Sequence, residues 1–303
     1  MQKRITMPKQ LNKWLYEKTR NILRWQAKVT RKSIEVDGYN IVYLESNNKH
    51  KKTLILIHGL NDEKESWLIM ASALKDKYHL ILIDLLGCGE SDMAMDFEYT
   101  LHNQADFLEK VITKMIKEKG IDSFSLAGHS MGGLVVLLAD RLPIDKLILI
   151  DTMGAHVKLT PLEIEAQKVD DISQLSFLNP ITKKDFKEAM KMSMYKPLYM
   201  PNFMITHILA NKASRLEFEI KKLFDVIDEN IRPRENLEKE LNQIKQQVLI
   251  VWGKEDLSID VASAHKMHEL IQNSTLKVYE ACRHYPQVDE PKELAADVVA
   301  FLG

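Results

Sequence analysis

The sequence has few of the features that define several large classes of protein. Its two cysteines, Cys88 and Cys282, are too few for a disulfide framework and favour a reducing compartment. No early apolar run resembles a signal peptide, and no run is long enough to span a membrane. The histidines and cysteines lack metal-site spacing, and a net charge of −1 gives no bulk attraction to nucleic acid. We therefore expect a cytoplasmic protein that uses no metal and no organic cofactor.

The near-zero net charge conceals a basic start. Residues 1–32 contain ten lysines and arginines against Glu17 alone, a net charge of +9, so the remainder carries −10. Residues 9–30 have the pattern of a helix with a broad apolar face, formed by Leu11, Trp14, Leu15, Ile22, Leu23 and Trp25. Indoles at headgroup depth and lysines near anionic lipid suit such a helix to a membrane surface, here the inner one. The alternative is a helix that packs on the protein's own core.

Short apolar runs after this segment predict a β-sheet. They are rich in β-branched residues and do not alternate with polar ones, which is typical of parallel strands buried on both faces. Asp37-Gly38 predicts a hairpin between the first two, antiparallel strands. Helices at 66–76, 100–119 and 291–302 alternate with the runs, which predicts an α/β fold with a mostly parallel eight-stranded sheet flanked by helices. The eight predicted strands are 33–36, 41–44, 53–57, 80–83, 124–127, 146–150, 247–251 and 275–279.

The alternation stops between residues 154 and 240. This stretch contains several helical segments and no buried strand, and it is too long for an ordinary loop. Long insertions at the carboxyl edge of a sheet are often functional lids. We therefore expect a helical cap over 154–240, inserted between two parts of one core domain, 33–153 and 241–303.

Residues 128–132 read Gly-His-Ser-Met-Gly between a predicted strand and a predicted helix. This arrangement is a nucleophile elbow, in which the glycines allow a tight turn and Ser130 stands clear of the sheet edge. A serine hydroxyl reacts at neutral pH only if a base takes its proton. Ser130 is the predicted nucleophile.

The proposed acid and base each follow a predicted strand. Asp256 lies just past the strand that ends at Val251, with Asp151 and Asp260 as alternatives for the acid. His284 follows the last predicted strand, and its position favours it over the nine other histidines. In proteins with a nucleophile elbow of this kind, the catalytic residues follow the chain order serine, acid, histidine.

Two main-chain N–H groups are candidates for the oxyanion hole. Met131 follows the nucleophile at the start of a helix, where free N–H groups and the helix dipole favour a negative oxygen. Leu60 belongs to the compact turn after the strand that ends at Ile57, and its N–H can face the same pocket.

The predicted cap is rich in methionine and aromatic residues between 190 and 204. Methionine is unbranched and adaptable, so such a surface can accept variable acyl chains. The alternative is ordinary packing of the cap on the core. The predicted substrate-binding residues are Met194, Tyr195, Met200 and Phe203.

These motifs together resemble the α/β-hydrolase superfamily over residues 33–303. The basic start, the Trp252–Asp256 segment and the helical cap look most like the monoacylglycerol lipase and esterase branch. The resemblance implies the α/β-hydrolase fold, Ser130, Asp256 and His284 as the triad, and Leu60 and Met131 as oxyanion donors. The matching segments are His58-Gly59, Asp84-x-x-Gly87-x-Gly89-x-Ser91, residues 128–133, Trp252-Gly253-x-x-Asp256 and His284-x-Pro286-x-x-Asp289-x-Pro291. Arg283 and Asp289 depart from the family, which usually has a small residue and often a glutamate there.

The expected activity is hydrolysis of a carboxylic ester through an acyl-enzyme, with a lipid-like substrate such as a monoacylglycerol. One alternative is a hydrolase of carbon–carbon bonds that uses the same triad. The other is a non-catalytic receptor for a small ligand, which would not need the complete triad found here. A small-molecule ester is therefore the predicted partner, with anionic membrane as a second partner through residues 1–32.

Overall fold

The fold is built on one sheet of eight strands. A computed structural model of the protein describes residues 9–49, 51–155, 157–160, 164, 175, 177–231 and 237–303. The strand order is β1-β2-β4-β3-β5-β6-β7-β8, and all neighbours pair in parallel except β1 with β2 and β2 with β4. This confirms the predicted mostly parallel sheet. The strands are β1 Val29–Val36, β2 Tyr39–Ser46, β3 Thr53–Ile57, β4 His79–Ile83, β5 Phe124–His129, β6 Ile144–Ile150, β7 Gln247–Gly253 and β8 Ser274–Tyr279.

Helices cover both faces of the sheet. Along β3, Leu54 and Leu56 enter a core with α2 and α11, whereas Ile55 and Ile57 enter a second core with α3, α4 and α9. The period of two along a strand divides one apolar run between the two layers. No helix in the described ranges combines the length and apolar character needed to cross a bilayer. The helices are α1 Lys9–Gln26, α2 Leu68–Leu74, α3 Leu101–Lys119, α4 Met131–Leu138, α5 Lys183–Ser193, α6 Asn202–Ala213, α7 Leu216–Ile231, α8 Leu237–Gln243, α9 Ala262–Leu270, α10 Pro286–Asp289 and α11 Pro291–Leu302.

The described part of the stretch between β6 and β7 contains helices joined by turns and loops. Helices α5 to α8 lie here, and the described residues of 154–240 contain no strand. A capping box between Thr182 and Asp185 begins α5. Residues 156, 161–163, 165–174, 176 and 232–236 of the predicted cap lie outside the described residues.

The N-terminal segment differs from the prediction at its end and in its orientation. Helix α1 ends at Gln26, and β1 begins at Val29, so residues 29–32 are strand rather than helix. Lys28, between the end of α1 and the start of β1, has a positive φ of 54°, a backbone conformation that does not continue a right-handed helix. Residues 1–8 of the predicted helical segment lie outside the described residues.

Helix α1 packs on the protein through a polar stripe. Its buried residues recur every fourth position, at Asn12, Tyr16, Arg20 and Arg24. That spacing places them on one helix face. The predicted apolar face is therefore not the face that contacts the core.

Ion pairs fasten this stripe to the core. Arg20 lies 2.6 Å from Glu65, and Arg24 contacts Glu65 and lies 2.9 Å from Glu90. The two glutamates also contact Lys64, at 3.3 and 2.8 Å. These five residues, with Glu63 and Asp84, are called the charge network below.

Lys64 is the centre of the charge network and is fully buried. Its Nζ lies 2.6 Å from Asp84 Oδ2, and its main-chain N–H donates to Asp84 Oδ1. Burial alone would lower the pKa of Lys64, but the carboxylates of Asp84 and Glu65 raise it above the usual value. The ammonium therefore stays charged and neutralises carboxylates that have little access to water.

Replacing Lys64 with methionine should strongly destabilise the protein. The variant leaves the buried Asp84 carboxylate without its cation, and breaking such a pair costs about 3–5 kcal/mol. Urea unfolding at neutral pH measures the change. Lys28→Met is the matched control, because Lys28 pairs with Asp76 at an exposed position, and its midpoint should hardly move. Equal midpoints for the two variants would contradict the role given to Lys64.

Candidate active site

Ser130 occupies a strained turn at the carboxyl end of β5. Its φ and ψ are 54° and −120°, and α4 begins at the next residue. The turn requires glycine on both sides, since a Cβ on Gly128 would collide with the Gly132 carbonyl and one on Gly132 with the His58 carbonyl. The Ser130 N–H donates to Ile150 O over 2.9 Å, which ties the turn to β6. The local structure is the predicted nucleophile elbow.

The three predicted triad residues meet at this turn. His284 Nε2 lies 2.9 Å from Ser130 Oγ, and His284 Nδ1 lies 2.7 Å from Asp256 Oδ2. All three residues are buried, between 7 and 8% exposed. The remaining carboxylate oxygen, Asp256 Oδ1, accepts the Ser258 N–H over 2.7 Å. An imidazole held between a carboxylate and a hydroxyl can accept the serine proton and remain oriented while it does so.

The two alternative acids do not bond the imidazole. Asp260 accepts the Ala262 N–H and lies 3.2 Å from Lys158. Asp151 Oδ1 accepts the Gly253 N–H over 3.1 Å. The structure therefore brings Asp256, and neither alternative, into hydrogen-bond contact with His284.

Asp151 nevertheless lies within the site. Donor atoms of Asp151, Asp256 and His284 all lie within 4.8 Å of one another, the one such group that could hold a cation among the described residues. Burial, and then the charge of Asp256, raise the pKa of Asp151 well above its usual value. Asp151 Oδ2 is buried and forms no hydrogen bond with the described residues. A neutral Asp151 avoids a second carboxylate charge beside Asp256.

The two candidate oxyanion donors lie beside Ser130. A Cβ on Gly59 would come within 3.1 Å of Ser130 Cβ, so the turn that carries Leu60 packs against the nucleophile. In the described ranges no acceptor is hydrogen-bonded to the N–H of Leu60 or Met131. Two free N–H groups near a nucleophile are what an oxyanion hole needs.

The sequence did not reveal how the His284 loop is held. His129 Nε2 donates to the His284 carbonyl over 2.6 Å, and the two rings lie 4.9 Å apart. Burial lowers the pKa of His129 well below the usual value, so it stays neutral beside the imidazole of His284. Asp289 accepts the N–H groups of Arg283, Tyr195 and Lys196, which joins this loop to the cap. The family motif around His284 contained Asp289 but gave no sign of this role.

A cavity of about 2250 Å³ opens above the triad. Ser130 and His284 border it, as do residues of the cap and of α1. Of the predicted substrate-binding residues, Met194 and Met200 line the cavity, whereas Tyr195 and Phe203 are outside its described lining. The methionines that line it are Met93, Met153, Met190, Met192, Met194, Met200 and Met204.

The sequence matches known hydrolases over most of its length. A family model described as the alpha/beta hydrolase fold matches residues 52–291. Lipase 3 of Moraxella sp. (strain TA144) is 29% identical over 271 residues, covering 87% of this chain and 81% of that protein. Monoacylglycerol lipase ABHD6 of Bos taurus is 24% identical over 261 residues, covering 84% of this chain and 76% of that protein.

A solved structure is similar to this chain over most of the length of both chains. The crystal structure of a membrane phospholipase A, described as a bacterial virulence factor, superposes with a TM-score of 0.87 at 27% identity. The match covers 96% of this chain and 91% of that chain. The similarity therefore includes the helical stretch between β6 and β7 as well as the sheet.

Asparagine at position 151 should separate the roles of the two carboxyl groups. Asp151→Asn keeps an acceptor for the Gly253 N–H and can donate to Asp256, so kcat should stay within about tenfold of the wild type. Asp256→Asn alters the partner of the imidazole and should lower kcat by about 10⁴-fold. Steady-state ester hydrolysis measures both, and a reversed order would make Asp151 the acid.

The same variant should change the pH dependence of stability. The pKa of Asp151 is raised on folding, so the folded wild type keeps a proton that the unfolded chain loses above about pH 4. Retaining that proton lowers the free energy of unfolding of the wild type by up to about 1.4 kcal/mol for each pH unit of increase, and Asp151→Asn has no such loss. The variant should therefore gain stability relative to the wild type between pH 5 and pH 8 in urea unfolding. A constant or shrinking difference would show that Asp151 is charged in the folded protein.

Proposed function

We propose, from the chain's membership of the alpha/beta-hydrolase family, that it hydrolyses carboxylic esters through a covalent acyl-enzyme on Ser130. The observation that carries this proposal is the pair of contacts made by His284, 2.9 Å to Ser130 Oγ and 2.7 Å to Asp256 Oδ2. The names of the lipases that resemble the chain agree with ester hydrolysis.

The reaction has two halves that use the same groups. His284 Nε2 takes the proton of Ser130, whose oxygen attacks the ester carbonyl, and the N–H groups of Leu60 and Met131 stabilise the oxyanion. His284 then gives the proton to the leaving alcohol, and Asp256 stabilises the imidazolium in the meantime. Water attacks the acyl-enzyme with His284 as base, which releases the carboxylic acid and restores Ser130.

The substrate we propose is a lipid-like ester such as a monoacylglycerol. The cavity is larger than the roughly 300–1,000 Å³ of most small-molecule sites, so it can hold a long acyl chain. Its methionine side chains are flexible enough to pack against chains of different length. The similarity to monoacylglycerol lipase ABHD6 supports the same class.

Removing the nucleophile should abolish both labelling and turnover. Ser130→Ala should not react with a fluorophosphonate, and kcat for a monoacylglycerol should fall by about 10⁴-fold or more. His284→Ala should have a similar effect, and the double variant should be no worse, because the two residues act as one unit. Absence of labelling in the wild type would favour a receptor. Turnover of a dienoate but not of esters would favour a carbon–carbon bond hydrolase.

Peripheral contact with an anionic membrane is a second proposal, and it rests on α1. Because its polar stripe faces the core, its apolar side chains face outward, with Trp25 78%, Trp14 55% and Ile22 50% exposed. Lys18 lies on the same outward face, 4.8 Å from the Trp14 ring. Tryptophan and lysine side by side suit the interface between lipid headgroups and acyl chains. The buried, unpaired cysteines agree with a cytoplasmic protein, so we place this contact at the inner membrane surface.

This orientation connects the proposed membrane contact to the active site. Asn12, Tyr16 and Arg20 of the inward stripe border the cavity that contains Ser130. The Tyr16 ring lies 4.5 Å from the ring of His207 on α6. A membrane bound by the outer face of α1 would therefore lie one helix diameter from the cavity.

Loss of the outward tryptophans should weaken binding to vesicles. Trp14→Ser combined with Trp25→Ser removes two large apolar side chains, and we expect the partition coefficient to fall by about tenfold or more. Sedimentation with vesicles of phosphatidylglycerol and phosphatidylcholine measures it. Ile181→Ser with Met95→Ser is the control, since both side chains are exposed and apolar and neither belongs to α1. Equal loss in the control, or equal binding to pure phosphatidylcholine, would contradict the proposal.

A further inference from the structure

Four ionisable side chains line one part of the cavity, where the turn between α6 and α7 approaches the loop after β4. They are Lys212, Arg215, Glu219 and Lys222, and all four border the same cavity as Ser130. None of them is used by the proposed reaction. Three cations here face one carboxylate.

Glu219 is shared by two of the cations. It is buried, and its two oxygens lie 2.7 Å from Arg215 Nε and 2.8 Å from Lys222 Nζ. Lys222 also donates to the Gly87 carbonyl over 3.1 Å, so it joins the cap to the loop after β4. Arg215 Nη1 lies 4.0 Å from the Met93 sulfur, and the only carboxylate paired with Arg215 in the described ranges is Glu219. Lys222 is thus held by a carboxylate and a carbonyl, whereas Arg215 borders the cavity with one ion pair.

Lys212 forms no ion pair with a carboxylate in the described ranges. Its Nζ donates to the Leu178 carbonyl over 3.2 Å, and the same carbonyl accepts Asn61 Nδ2 over 2.8 Å. Asn61 follows the candidate oxyanion donor Leu60, so Lys212 stands next to the loop that serves Ser130. Burial lowers the pKa of Lys212 to about 8, despite the opposing effect of Glu219.

Four other carboxyl groups that border the cavity, on the loops after β3 and β4, do not compensate these charges. Glu63, Glu65 and Glu90 are paired with cations of the charge network. Burial raises the pKa of Asp62 to about 7, so near neutrality this carboxyl is partly uncharged. Cations removed from water without a partner are costly, and a bound anion would offset that cost.

We propose that Lys212 and Arg215 form a subsite for a phosphate group carried by the alcohol part of the ester substrate. This inference rests on the proposed function and narrows its substrate class to acyl esters of a phosphorylated alcohol. A phosphate monoester carries about −1.5 to −2 charges at pH 7. That charge matches the excess of three cations over Glu219 in this cluster better than the single charge of a carboxylate does. Arginine and lysine both bind phosphate oxygens with charge-assisted hydrogen bonds. The methionine-lined wall then takes the acyl chain.

The test compares three lauroyl esters below their micelle concentrations: a monoacylglycerol, its phosphate, and an ester with a carboxylate in place of the phosphate. The enzymes are the wild type, Lys212→Met, Arg215→Met and the control Lys187→Met, an exposed cation of α5 outside the cavity lining. In each cavity variant kcat/KM for the phosphate ester should fall by about tenfold or more relative to the monoacylglycerol. The control should keep the wild-type ratio.

A binding measurement separates this inference from the catalytic proposal. In a Ser130→Ala background, calorimetry with the phosphate ester should show about tenfold weaker binding when Lys212→Met is added. An unchanged Kd and an unchanged kcat/KM ratio would overturn the subsite while leaving ester hydrolysis intact. A preference for the carboxylate ester would overturn the assignment to phosphate. If the wild type hydrolysed no ester, the proposed function would fail, and the binding result would still decide on the subsite.

Discussion

The left-handed backbone at Ser130 is the constraint on which the site depends. A residue with a side chain adopts φ of 54° only when its surroundings enforce it. Here the enforcement is close packing, because Gly128 and Gly132 let backbone segments approach more closely than a Cβ would permit, and Gly59 packs tightly beside Ser130. The strain has a direct chemical consequence: Ser130 Oγ lies within hydrogen-bond distance of His284, and α4 begins with free N–H groups beside it.

Parallel topology brings the remaining groups to the same place. Ser130, Asp256 and His284 are up to 154 residues apart, yet each follows a strand whose carboxyl end lies at one edge of the sheet. This explains why the sequence could predict that these three residues meet: strand ends can be read from short apolar runs, and parallel pairing places those ends together. Asp256 could be preferred over Asp151 only by its place in the loop after β7. Side-chain geometry was needed to show that Asp151 bonds Gly253 instead.

Sequence periodicity was least informative where charge decides the packing. Helix α1 has an apolar face and a cationic face, and either could pack on the core. In most surface helices of globular proteins the apolar face does so. The structure has the reverse, because Arg20 and Arg24 find Glu65 and Glu90 at distances of an ion pair. Those carboxylates lie 41 or more positions further along the chain, so a local pattern could not reveal them. The cluster of Lys212, Arg215 and Lys222 was not predicted for the same reason. Lys222 and Arg215 contact residues of the loop after β4, which is more than 100 positions away in the chain.

Two groups of ionisable residues border the cavity, and they differ in how their charges are paired. One is the charge network, and the other is the group of Lys212, Arg215, Glu219 and Lys222 on the cap. Cations of α1 and Lys64 meet carboxylates of the loops after β3 and β4, so each cation of that wall has a carboxylate partner and the ion pairs hold α1 in place. The cap wall has three cations against Glu219 within the described residues, so it carries a net positive charge. A charge imbalance that faces a cavity is costly to the free protein and favourable to a ligand of opposite charge. Helix α1 is held by this charge network and turns its tryptophans outward. The fold therefore brings three proposed surfaces around Ser130: one for a membrane, one for an acyl chain and one for an anion.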